Sequence, residues 1–122
     1  MADNPNRLAG IATVTVDGQN YMLSGDLTYQ VSTVKRETLI GQDRVHGYSE
    51  TPVAGFISGT FRDAGDLTVA DFNAMSNATV VVELANGKTI VGRNMWTVET
   101  QEVKTAEGTF DVRWEGFSVQ EA

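Results

Sequence analysis

The side chains able to do chemistry in this sequence are few and scattered. His46 is the single histidine, and cysteine is absent, which excludes disulfides, thiolate metal sites and Cys–His nucleophiles. No serine elbow motif lies near His46, and an isolated histidine in a loop reads as a surface or interface residue. Asp63 and Asp66 flank a turn. A calcium loop needs more oxygen ligands at alternating positions, so these two read as turn and capping acids. The glycines form no phosphate cradle. Asn77-Ala78-Thr79 matches the glycosylation sequon, but Met1 to Arg7 lacks the apolar run of a secretory signal, and the match reads as accidental. Trp96 and Trp114 remain as a possible sugar-stacking platform. Trp114 falls on an apolar alternating face and reads as core, while Trp96 is left open. The expectation is a protein with no catalytic residue, no cofactor-binding residue and no metal ligand.

Composition narrows the classes further. A chain of 122 residues is long enough to bury a core of its own, and the expectation is one domain over 1–122. Hydrophobic residues at 41% and charged residues at 20% belong to a folded globular chain, not a disordered one. Nine basic against sixteen acidic side chains give a net charge of −7. Wrapping a nucleic acid needs clustered cations to displace phosphate counterions; this balance favours a surface that repels phosphate. No apolar stretch approaches the length that crosses a bilayer as a helix.

The elements that must position everything else centre on Phe56 to Leu84. This stretch reads as a strand, a turn at Arg62 to Asp66, a short helix over 68–77 and a second strand. Thr68 occupies the N-cap position with Asp71 three residues on, and the acid also suits the positive end of the helix dipole. Val69, Phe72 and Met75 recur every three residues, giving one narrow apolar stripe. So short a helix is marginal alone in water and has to dock on the flanking strands. Burying the three apolar residues contributes about 5–8 kcal/mol at most.

Before this stretch, residues 1–7 read as a flexible arm. Leu8 to Val16 is strand-like and ends at Asp17-Gly18, a hairpin signal. Ser24-Gly25-Asp26 reads as a bulge. Beyond it Leu27, Tyr29 and Val31 alternate with Thr28, Gln30 and Ser32. Val53 to Phe61 alternates again, with Gly55 and Gly59 on the apolar face, leaving room for close packing. After the helix come Thr79 to Leu84, a two-residue turn at Asn86-Gly87 and a long strand from Lys88 to Thr100. A turn follows at Ala106-Glu107-Gly108. Phe110, Val112 and Trp114 then point inward against Asp111, Arg113 and Glu115, and the apolar phase shifts to Phe117 and Val119 past Gly116, as at a bulge.

Lys35 to Glu50 breaks every pattern. Sixteen residues without periodicity are long for a connection inside a compact domain, and such loops are usually functional. The segment carries Lys35, Arg36 and Arg44, the histidine, and the apolars Leu39, Ile40, Val45 and Tyr48. A solvated tip does not need those apolars, so Leu39, Ile40, Val45 and Tyr48 read either as waiting for a partner or as packing on the parent domain.

The order and spacing of Gly59-Thr-Phe61, Asp66-Leu-Thr68, Thr79-Val-Val-Val82, Asn86-Gly-Lys88 and Gly108-Thr-Phe110 through Glu115-Gly116 resemble the tail tube proteins of Mu-like contractile-tailed bacteriophages over nearly the whole chain. The resemblance implies a mainly β fold, a β-sandwich or half-barrel of about seven strands with one flanking helix. It further implies homohexameric rings with a continuous inner β-barrel, stacked into a tube that conducts the genome, with tail sheath, baseplate and tape-measure proteins as partners. DNA would pass through the lumen without specific binding, and the protein would reside in the virion tail after assembly in the bacterial host cytoplasm, with no membrane contact. Type VI secretion tube proteins share this architecture, so an inner tube of a secretion or tailocin-like injection system is the alternative, and a carbohydrate- or peptide-binding β-sandwich is another. If the strands joined by the long loop line the lumen, its surface carries Thr28, Gln30, Ser32, Ser58 and Thr60, a row of small neutral groups.

Overall fold

The computed structural model of the chain describes residues 6, 10–21, 23–64, 68–99 and 101–122. The expected arm over 1–7 lies outside these residues except for Asn6, as do Gly65, Asp66 and Leu67 of the turn before the helix. Eleven strands and one short helix follow in order: β1 (Thr13–Val16), β2 (Gln19–Tyr21), β3 (Leu23–Gln30), β4 (Thr33–Ile40), β5 (Val45–Val53), β6 (Gly55–Arg62), α1 (Val69–Asn73), β7 (Ala78–Glu83), β8 (Thr89–Val98), β9 (Val103–Lys104), β10 (Thr109–Gly116) and β11 (Ser118–Glu121).

Nine of the strands form one antiparallel sheet, with the path β2-β1-β7-β8-β10-β6-β3 and with β11 paired to β8 and β9 to β10. The sheet curls into a half-barrel because β8 serves two layers. Its first half pairs with β7 and β11, and its second half, Trp96 to Val98, pairs with β10. The bend between them is a bulge. Between the pairs Val80↔Gly92 and Ala78↔Met95, β8 has one more residue than β7. Asn94 there takes φ +53°, a conformation that asparagine tolerates better than most residues. Gly92 is needed beneath this corner, since a Cβ would stand 2.1 Å from the Met95 sulfur.

The two layers close over one core. Val14, Val16, Val80, Val82, Ile90 and Val119 come from one side, and Ile57, Phe61, Phe110, Val112 and Trp114 from the other, all buried. The strict alternation in β10 and β6 is therefore realised as read, with Gly55 and Gly59 on the buried face of β6. At Gly59 a Cβ would lie 3.0 Å from Leu23 Cδ1 and 3.1 Å from Leu27 Cδ1, so the glycine lets β3 lie close. The expected bulge before Leu27 is present as a register shift between Leu23 and Leu27. Asp17 and Gly18, at φ +50° and +87°, make the tight turn expected of their dipeptide.

The helix is shorter than its sequence pattern. Thr68 is the N-cap residue, but its side chain makes no capping bond; its carbonyl accepts from Asp71 N at 3.1 Å instead. The helix ends at Asn73, and one further turn from Met75 N to Phe72 O, 3.1 Å, brings the chain towards β7. Docking rests on Phe72. Its ring lies 4.9 Å from that of Tyr21, 5.2 Å from Phe110 and 6.3 Å from Trp114, while Val69 and Met75 are only partly buried. Thr97 Oγ1 ties the helix end to β8 through Phe72 O at 2.7 Å.

Three further expectations are corrected. Asn86-Gly87 does not form a two-residue turn: Gly87 N donates to Leu84 O and Leu84 N to Lys88 O, with φ +93° at Gly87 alone. This is a three-residue loop with the glycine as its bulge. Phe117 does not point inward. Gly116 and Val119 do, and Phe117 is 81% exposed, because the chain passes from one layer to the other between them. Finally, 35–50 is no irregular loop but most of a hairpin.

Candidate functional site

That hairpin, β4 with β5, is a sheet of its own, separate from the nine-stranded one. Its register runs from Thr33↔Val53 to Leu39↔Gly47, then shifts at a bulge so that Ile40 meets Val45. His46 is the extra residue, lying on Gly41, where any Cβ would meet its imidazole at 2.1 Å. The tip closes by Gly41 N donating to Arg44 O at 2.8 Å.

Every residue of β4, and every residue of β5 but Val53, is solvent-exposed. The sequence shows no period here because neither face of the ribbon is buried, so nothing selects apolar residues at alternate positions. An isolated two-stranded hairpin is marginal in water. This one exposes Leu39, Ile40, Val45 and Tyr48, at 49 to 73%.

Four of the ribbon's six charged side chains pair within it. Arg36 Nε pairs with Glu50 at 2.9 Å and lies 5.4 Å from the Tyr48 ring centre. Arg44 and His46 both reach Asp43, at 3.1 and 3.3 Å. Lys35 has no ion-pair partner among the described residues. From residue 33 to 53 three cations face three carboxylates, so the ribbon is net neutral on a chain of −7. Of the side chains singled out in this segment, the structure thus brings together Arg36 with Tyr48 on one face and Ile40 with Val45 at the tip.

The ribbon's root is pinned where the strands re-enter the body. Gln30 Nε2 donates to Ala54 O at 3.0 Å, strapping one stem to the other. Ser32 N donates to Val119 O, Val119 N donates to Ser32 Oγ, and that hydroxyl donates to Phe117 O, at 3.0, 3.0 and 3.1 Å. Ser32 therefore departs from the row in which it was expected. With β3 ending at Gln30, its hydroxyl lies beside Gly55 and Val119, both buried, and so on the core side. The role of Gln30 and Ser32 as anchors was not foreseen, since no local pattern points to partners so far along the chain.

Thr28, Ser58 and Thr60 do share the face turned from the core, as the pairs Thr28↔Ser58, Ser58↔Arg113 and Thr60↔Asp111 show. The face is not a neutral surface throughout, because β10 adds charge to it. Of the three cations on it, two are held by carboxylates and the third, Arg62, donates Nη1 to the Glu107 carbonyl at 2.9 Å. Arg113 donates to Glu115 at 3.0 Å and covers the Phe56 ring at 3.9 Å, and Lys104 reaches Asp111 at 3.4 Å. Thr60 Oγ1 donates to Asp111 at 2.6 Å. That bond, foremost, and Lys104 hold the Asp111 carboxyl below its ordinary range against a desolvation that opposes them. A depression of about 480 Å³ on this face also takes in Asp26, Glu99 and Glu102, leaving it acidic. Among the described residues no three metal-ligating side chains converge.

Comparison with known proteins places this geometry. Residues 5–121 match the family model for the phage tail tube protein. The Mu-like prophage FluMu tail tube protein of Haemophilus influenzae is 31% identical over 91 residues, 75% of this chain and 76% of that one. The fold resembles a chain of an extracellular contractile injection system, solved by cryo-electron microscopy as the PVC sheath/tube terminator in its extended state. There the TM-score is 0.65 at 11% identity, covering 91% of this chain and 92% of that one.

Proposed function

The chain belongs to the phage tail tube protein family, and from that premise we propose that it is a non-enzymatic subunit that assembles into hexameric rings stacked as the conduit for genome delivery. The observation that carries this reading is the ribbon, a hairpin whose apolar side chains are left exposed by the described residues of its own chain. The half-barrel supplies the second requirement. Its strand order ends at β3 on one side, and the β8–β9 segment flanks β10 on the other. Each has backbone groups available to another copy. A head-to-tail contact between such edges closes a ring when the rotation permits, and the closed barrel has no edges left.

In this assembly the ribbon residues Lys35, Arg36, Leu39, Ile40, Arg44, Val45 and Tyr48 contact the neighbouring subunit. The face bearing Thr28, Gln30, Ser58 and Thr60 lines the lumen. A conduit must not hold its cargo, since each phosphate paired with Lys or Arg adds affinity. The tethering of Arg113 by Glu115 and Lys104 by Asp111 fits that need. DNA passes without specific binding, and no cofactor is needed. The tube sits in the virion tail after assembly in the host cytoplasm, with tail sheath, baseplate and tape-measure proteins as its partners. No described helix is long and apolar enough to cross a membrane.

Negative-stain microscopy of concentrated protein tests the assembly, with rings or tubes expected. Ser58→Lys tests the lumen. Tubes of this variant should retain DNA at low salt and release it as salt rises, and tubes that ignore DNA at low salt place Ser58 elsewhere.

A further inference from the structure

Phe117 is the most exposed aromatic side chain among the described residues. Its exposure follows from its position. Gly116 is buried, and a Cβ there would stand 3.2 Å from Met95 Cγ and 3.4 Å from Asn94 O; Val119 is buried three residues on. Phe117, next after the inward Gly116 as the chain leaves β10, faces out. It packs edge-on against the half-buried Trp96, ring centres 5.3 Å apart, and its carbonyl is fixed by the Ser32 hydroxyl. The result is a rigid two-ring patch at the foot of the ribbon.

We propose that this patch receives the apolar tip of the ribbon, Leu39, Ile40 and Val45, from a second copy of the chain, and that this contact joins successive subunits. The proposal rests on the tube reading and names its receiving surface. Three observations favour this occupant. The ribbon cannot cover its own foot, because eight residues of β4 place the tip about 25 Å from the root. Charge points the same way: copies of a −7 chain repel one another, but the ribbon is net neutral and the charged neighbours of the patch, Arg113 and Glu115, pair with each other. The contact is also heterologous. A tip-to-tip contact between ribbons is self-complementary and stops at a dimer, whereas a tip on the next subunit's foot leaves a free tip and a free foot and propagates.

The absence of cysteine allows a direct test. The doubly substituted chain Gln42→Cys/Ser118→Cys, which places thiols beside the tip and beside Phe117 while keeping the apolar contact residues, is assembled and treated with a short bis-maleimide, beside each single variant. The expected result is a ladder of covalent multimers from the double variant, with nothing above dimers from either single one. Tubes whose double variant yields no more than the singles overturn the contact while leaving the tube reading intact. Wild-type chains that never assemble overturn both. As an independent arm, Phe117→Ser should leave the fold unchanged by circular dichroism and raise the concentration needed for assembly about tenfold or more. An unchanged threshold overturns the proposal.

Discussion

The half-barrel and the ribbon are both antiparallel β-structure, yet they are stabilised in opposite ways. In the body the central strands β1, β6, β7, β8 and β10 each have a buried face, and the rings of Phe61, Phe72, Phe110 and Trp114 meet at centroid distances of 5.2 to 6.4 Å. In the ribbon both faces meet solvent, and what holds it is a ladder of backbone bonds, a few surface ion pairs and the anchors at its root. Exposed ion pairs are worth little, so the ribbon's order depends on its root and, in the proposed assembly, on a neighbour. The body holds its own core, whereas the ribbon has none and is covered only in the proposed assembly.

Substitutions should separate the two regions. The largest effect on stability is expected from Phe72→Ala, which removes the one fully buried side chain of α1. A loss of about 3–5 kcal/mol in denaturant unfolding is expected, and a loss under about 1 kcal/mol would mean the helix is not part of the core. Gly55→Ala acts at the boundary, because its Cβ would meet Ser32 Oγ and Val119 Cβ at 2.7 Å each. A cost of about 1–3 kcal/mol is expected, with weaker assembly as the anchor shifts; unchanged stability and assembly would show that the root is not rigid. Leu39→Ser with Ile40→Ser lies at the other pole. Both residues are exposed, so unfolding should move by no more than about 0.5 kcal/mol.

The smallest effect concerns pH. The Tyr29 hydroxyl donates to Glu121 at 2.6 Å and Lys88 Nζ approaches it at 3.2 Å, joining β3 to β11 across the open side of the half-barrel. The tyrosine bond, foremost, and Lys88 hold the Glu121 carboxyl below its ordinary value. A carboxyl depressed in the folded state contributes stability above its unfolded pKa and loses it as pH falls through the folded one. The same Glu121 bond raises Lys88, whose contribution is present below its unfolded pKa and is lost as pH rises through the folded one. The clasp therefore holds from mildly acidic to mildly alkaline pH. Tyr29→Phe should flatten the acid limb of the stability profile, and an unchanged limb would show that the clasp is idle.

The same contrast explains what could be read from the sequence. Phe110, Val112 and Trp114 were legible because one buried face imposes a period of two, and Asp17-Gly18 because its turn needs positive φ at both positions. The ribbon showed no period because it has no buried face. Its apolar side chains raised the expectation of a contact surface, but nothing in them signalled a pair of strands. Phe117 and Ser32 were misplaced because both lie where a strand ends and the alternation restarts, and a period carries no information across such a break. The anchors at the root join residues tens of positions apart, beyond any local pattern.

The central claim is that the body folds by itself while the ribbon serves assembly. Sedimentation velocity and negative-stain microscopy of wild type beside Leu39→Ser/Ile40→Ser, at matched high concentration, test it most directly. Rings or tubes from wild type, and a folded monomer of unchanged circular dichroism from the variant, are the expected results. Tubes formed equally by the variant, or a wild type that stays monomeric, would contradict it.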